Sequence, residues 1–299
     1  MKNKDSFSGF HPLVNFLYFA LVLAFSMFFM HPVSLALSLC CAVAYHVYLK
    51  GSRAVRFSLV YMLPMLLLAA VINPAFNHEG ATILTYLPSG NPLTLESIFY
   101  GIAAAMMLVC VISWFACYTE VMTSDKFVYL FGRIIPALSL VLSMTLRFVP
   151  RFKAQLDVVR EAQRSVGREG DNGSLPQRIK SAVTVLSILI TWSLENAIET
   201  ADSMRSRGYG LPGRTAFSIY RLDGRDRAAL IWLIACGLYI AAGWATGGFF
   251  WRYYPTVKGA PPGAFPVSFQ IVYLLLCLTP LVIDLREDRL WKQQTGGTL

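Results

Sequence analysis

Ala201-Asp202-Ser203-Met204-Arg205-Ser206-Arg207-Gly208-Tyr209-Gly210 closes a long helical pattern in charge and glycine. A run of the same type lies upstream: Arg160-Glu161-Ala162-Gln163-Arg164-Ser165-Val166-Gly167-Arg168. Both fall in 124–227, which holds 16 of the 26 Lys and Arg and 10 of the 17 Asp and Glu. On either side lie apolar runs of roughly 17–25 residues, the length that crosses a bilayer core. The chain therefore reads as an all-α, multispanning membrane protein of about six spans, with a large cytoplasmic helical region. It divides into 1–123 with spans one to four, 124–227 as the cytoplasmic helical region that contacts another protein, and 228–299 with the last two spans and a cytoplasmic tail.

Composition supports this class. Of 299 residues, 56% are hydrophobic and 14% charged, against about 25% charged in soluble domains. Ten-residue runs of strict alternation, the mark of a membrane barrel, are absent. The net charge of +9 fits the basic cytoplasmic loops of membrane proteins better than nucleic-acid binding, because no recognition module accompanies it.

The spans are expected at 12–30, 33–49, 57–72 (interrupted by Pro64), 93–117, 228–247 and 267–283. His31-Pro32 reads as a tight turn, and the segment around Lys50, Arg53 and Arg56 as a basic loop. Thr82–Leu87 reads as a short extended piece. The run from Leu13 to Met30 is long enough to span and lacks a signal-peptide cleavage site. With the N-terminus inside, 24 of the 26 basic residues fall in inside segments, and Arg252 and Lys258 fall outside. The positive-inside rule then places both termini in the cytoplasm. Two shorter apolar pieces, 134–144 and 182–194, read as packed halves of long helices; the alternative is that they dip into the membrane as a pair.

In the central stretch, Pro150 is expected to open a helix over Arg151–Val166 with a basic face of Lys153, Arg160, Arg164 and Arg168. Gly167, Gly170 and Gly173 would end it. Ser174 and Pro176 would start a second helix over Leu175–Arg207, with Glu195, Glu199 and Asp202 on one face. Gly208 and Gly210 would end that helix and Pro212 would prevent its resumption. The two charged faces either meet each other or are both solvated. Arg205 and Arg207 either only offset the negative end of the helix dipole or present a planar fork to an acidic groove on a partner.

Catalytic signatures are missing. The sequence has no G-x-x-x-x-G-K-[ST], H-E-x-x-H or G-x-S-x-G. Its six cysteines form no C-x-x-C pair, and neither cofactor nor metal site is expected. Of the four histidines, His46 lies within a span and reads as a packing residue. Glu96 sits at the edge of a span, and few other ionisable residues enter the membrane, which argues against a stand-alone channel or carrier. A membrane enzyme would need a cluster of His, Asp or Glu, and only scattered candidates exist.

Several segments resemble the transmembrane T component of energy-coupling factor (ECF) transporters, the vitamin and metal importers of prokaryotes. These are His11-Pro12, Asn73-Pro74, His78-Glu79-Gly80, Leu146-Arg147-Phe148-Val149-Pro150 and Met204-Arg205-Ser206-Arg207-Gly208-Tyr209-Gly210. The family carries two short Ala-Arg-Gly-type motifs. The second corresponds here to Ser206-Arg207-Gly208. The first aligns with Ser165-Val166-Gly167, where valine replaces the arginine; Arg164 or Arg168 is a neighbouring source of charge. The resemblance implies a non-catalytic membrane scaffold joining two cytoplasmic ABC-type ATPases to a substrate-binding S component. Each motif arginine would enter an acidic groove on one ATPase.

Overall fold

A computed structural model describes residues 5–86, 90–132, 135–167, 174–211, 220–259, 261 and 263–296. The chain forms two compact units, Met1–Thr123 with Tyr220–Leu299, and Ser124–Ile219. In the first unit, α1 (Pro12–Phe28) and α2 (Pro32–Lys50) begin alike. Each has a His-Pro pair: the histidine Nδ1, at His11 or His31, accepts the backbone N–H two residues on, at 3.3 Å. The proline occupies the first turn, where its missing N–H costs nothing. His31-Pro32 is thus a helix cap as well as a turn.

The third expected span is longer than its apolar pattern. Helix α3 (Ser52–Phe57), a π turn (Ser58–Met62) and α4 (Leu63–Phe76) run on without a break. The residues expected in a basic loop, Arg53 and Arg56, therefore lie on helix. Pro64 does not interrupt the run, because the wide π turn directly before it relieves the clash between the ring and the carbonyl four residues back. The extended piece appears as β1 (Ile83–Tyr86), antiparallel to β2 (Pro92–Thr94). Helix α5 (Leu95–Val121) follows, and Thr94 caps it by accepting the Ser97 N–H.

In the second unit are α6 (Ser124–Gly132), α7 (Pro136–Ser165) and α8 (Leu175–Ser206). The chain then returns to the first unit with α9 (Gly224–Ala245), the short pair β3 (Trp251–Arg252) and β4 (Lys258–Gly259), and α10 (Ala264–Gly296). Arg286, Arg289 and Lys292, expected beyond the last span, continue α10. A charged continuation on the same helix lets the terminus emerge from an apolar layer without leaving backbone groups unpaired.

Among the described residues, six helices are long and apolar enough to cross a membrane: Pro32–Lys50, Ser52–Phe76, Leu95–Val121, Leu175–Ser206, Gly224–Ala245 and Ala264–Leu290. This set differs from the six expected. Pro12–Phe28 falls one residue short of the 18-residue length, and Leu175–Ser206 joins instead. The piece 182–194 is indeed part of a long helix, but much of its apolar surface is left uncovered by the described residues: Val183, Leu186, Ile190 and Leu194 are all more than half exposed.

A buried polar knot ties the first unit together. Trp114 Nε1 donates to Ser38 Oγ at 2.9 Å. The hydroxyls of Ser26 and Ser38 are 2.9 Å apart, and those of Ser26 and Tyr273 are 3.1 Å apart. Four helices, α1, α2, α5 and α10, thereby share one network whose members leave no donor in lipid unsatisfied. Edge-on contacts of Tyr18 and Phe19 with Trp114 pack around it. His46 is buried and packs edge-on to Phe57, with its Nδ1 left without a hydrogen-bond partner among the described residues. All six cysteines are free.

Between α9 and α10 the helices approach through glycine. A Cβ on Gly243 would stand 2.6 Å from Cγ and Cδ1 of Phe269. Gly243→Ala should therefore lower stability by about 1–3 kcal/mol, the usual cost of overpacking, read as a reduced thermal midpoint in detergent. Phe269→Leu in the same chain should recover part of it; an unchanged midpoint for Gly243→Ala would contradict this packing.

Candidate coupling site

Helix α7 begins at Pro136, not at Pro150 as its sequence suggested, and Pro150 lies inside it. A proline removes one intrahelical bond and crowds one carbonyl; with many further bonds on either side, the helix continues. Helix α8 starts at the expected place: Gln177 Oε1 accepts the Ser174 N–H at 3.1 Å, and Pro176 sits in the first turn.

Among the described residues the two helices meet through aromatic groups. Phe152 on α7 and Trp192 on α8 pack edge to face at 5.5 Å. The Arg151 guanidinium lies 5.7 Å from the Trp192 ring centre. Glu195, Glu199 and Asp202 are exposed and, among the described residues, form no ion pair with Lys153 or Arg160. These three carboxylates are thus exposed to solvent. Exposed ion pairs contribute little, whereas an aromatic pair with a cation on its face gains from contact area and from the ring quadrupole. Sequence reasoning missed this clasp: an aromatic residue on each helix is visible, but helix periodicity alone does not say which faces which.

The two helix ends have the same backbone geometry. At the end of α8, Arg207 is the last half-helical residue (φ −85, ψ 8), and Gly208 follows with φ +79. The Gly208 N–H donates to the Arg205 carbonyl and the Tyr209 N–H to the Met204 carbonyl, both at 3.0 Å. These two bonds make a Schellman termination. At the end of α7, Val166 has φ −90 and ψ 6, and Gly167 has φ +74. The Gly167 N–H donates to the Arg164 carbonyl at 2.9 Å, matching the Gly208 bond. Ser165 and Ser206 are equivalent as well: each hydroxyl donates back into its own last turn, to Glu161 and Ser203.

Residue by residue, then, Arg164-Ser165-Val166-Gly167 corresponds to Arg205-Ser206-Arg207-Gly208. Arg164, Ser165, Val166, Arg205, Ser206 and Arg207 are all exposed. Among the described residues neither Arg205 nor Arg207 forms an ion pair. Arg168, with Gly170, Gly173 and Pro212, lies outside the described residues. No group of three or more His, Cys, Asp or Glu suited to a metal occurs among the described residues.

Because Gly208 has a left-handed backbone, an L side chain there should cost roughly 1–2 kcal/mol. Gly208→Ala should accelerate hydrogen exchange at the 208 and 209 amides and hasten tryptic cleavage after Arg207. Gly9→Ala, at a position with ordinary φ and open space, should change neither. Equal exchange in both variants would refute the assigned termination.

A family model described as cobalt transport protein, CbiQ, matches residues 8–217. The chain is 28% identical over 209 residues to the energy-coupling factor transporter transmembrane protein EcfT 1 of Listeria monocytogenes, covering 65% of this chain and 74% of that one. It is 36% identical over 101 residues to EcfT of Lactobacillus helveticus, covering 33% of this chain and 36% of the relative. With EcfT of Streptococcus thermophilus it shares 33% identity over 109 residues, 36% of this chain and 41% of the relative. The chain thus spans about two fifths of the length of these last two relatives. With its helices long enough to cross a membrane, it is a bacterial multi-pass membrane protein, and it belongs to the CbiQ family, the transmembrane T component of energy-coupling factor transporters.

Proposed function

We propose that this chain is the scaffold and energy-coupling subunit of an ECF-type importer. It joins two cytoplasmic ABC-type ATPases to a substrate-binding S component for uptake of a vitamin or a transition-metal ion. Both termini and both coupling helix ends face the cytoplasm: with Pro12–Phe28 crossing and Leu175–Ser206 lying on the cytoplasmic side, 24 of 26 basic residues fall inside. ATP hydrolysis belongs to the partner ATPases, and recognition of the cargo to the S component.

The observation that carries this reading is the tip of α8. A glycine-closed helix end holds Arg207 exposed, and the guanidinium fork suits a carboxylate in a partner's groove. Arg205, two residues earlier, adds charge near the negative end of the helix dipole. Movement of the ATPases between ATP-bound and released states would be passed to α7 and α8 at their tips. The Phe152–Trp192 clasp then makes the two helices respond together.

Arg207→Glu replaces attraction with repulsion and should reduce copurification of the ATPases at least about tenfold. Uptake should fall in parallel, while the amount of chain in the membrane stays unchanged. Normal copurification and normal uptake would defeat the proposed role.

A further inference from the structure

The matched geometry of the two tips exposes one chemical difference. Position by position, both ends carry arginine two residues before the cap, Arg164 and Arg205, and both carry serine before the cap, Ser165 and Ser206. At the cap itself one end carries Arg207 and the other Val166, which is 70% exposed. Arg164 does not replace the missing charge. Residues two apart on a helix are separated by about 200° around the axis, so Arg164 leaves the helix on the side away from Val166. Its counterpart is Arg205, and the role of Arg207 has no equivalent on α7 within the described residues.

A groove with a carboxylate placed for a guanidinium is a poor host for valine. The carboxylate would lose water and gain no partner, a strongly unfavourable exchange. Conversely, an apolar hollow accepts a β-branched side chain and rejects a guanidinium. Resting on the coupling role proposed above, we infer that the α7 tip docks through Val166 into an apolar socket. The surfaces that hold the two tips are then chemically unlike, one acidic and one apolar. The backbone turn sets the common shape of both contacts, and the cap side chain decides which surface takes which tip.

The experiment uses the full chain in its own membranes, with Cys40→Ser to remove the exposed native thiol. A single thiol for a photo-crosslinker is introduced one turn before each cap, by Ala162→Cys or by Ser203→Cys, which are equivalent positions on α7 and α8. Val166 and Arg207 stay intact. Peptide mass spectrometry then identifies the crosslinked ATPase. An ATPase peptide is expected from both positions; a crosslink from position 203 with none from position 162 overturns the inference. Adding Val166→Arg should cut the crosslink yield from position 162 about tenfold while leaving that from position 203 unchanged, and Val166→Ile should retain both. A yield from position 162 that holds or rises with Val166→Arg would also overturn it. Circular dichroism and the intact 203 crosslink report that each variant is folded. Absence of any ATPase at position 203 would instead refute the coupling role itself, and this inference with it.

Discussion

A helix cannot end without finding donors for its last carbonyls, and here that requirement shapes the functional surface. At Gly167 and Gly208 the chain takes a left-handed turn that brings amides back onto those carbonyls. The residue just before each glycine is thereby placed at the tip of a long helix with its side chain outward. A Cβ at Gly208 would also meet Leu211 Cδ1 at 3.1 Å, so the chain after the turn folds closely back over it. The identity of the tip residue can vary, as Val166 and Arg207 show, while the turn beneath it stays the same.

The other unit answers a different constraint. In lipid every polar group needs an internal partner. The shared hydroxyls of Ser26, Ser38 and Tyr273, with the Trp114 indole, meet that need while joining four helices. The segment before α1 is held as well: the Phe7 N–H donates to Asp284 Oδ1 at 2.8 Å and the His11 N–H to Asp226 Oδ1 at 3.0 Å. Ion pairs Lys50–Glu120 and Arg225–Glu287 add lateral links between α2 and α5 and between α9 and α10. These charges bind helix to helix.

Much of this was legible in the sequence. Apolar length marked the spans, and glycine after a charged helical run marked both tips, because only a residue without a Cβ enters the left-handed turn freely. The motif alignment of Ser165-Val166-Gly167 with Ser206-Arg207-Gly208 coincides with the structural equivalence of the two ends. The misreadings have physical causes. Hydropathy registers side chains, so the helical continuation at Arg53 and Arg56 reads as a loop and that at Arg286 as a tail beyond the last span. Pro64 and Pro150 looked like breaks, yet a proline removes a single bond, and a π turn or a long helix absorbs it. Leu175–Ser206 was assigned by its charged ends, whereas its apolar middle gives it membrane-crossing length and composition. The Phe152–Trp192 clasp was out of reach, since which helix faces meet is decided by tertiary packing.

The account depends above all on the tips facing the cytosol, where ATPases can reach them. A membrane-impermeant maleimide applied to the chain carrying Cys40→Ser and Ser203→Cys measures this directly. The account predicts that the thiol is modified in inside-out vesicles and is silent in intact cells. Modification in intact cells would place the α8 tip outside and contradict the account at its root.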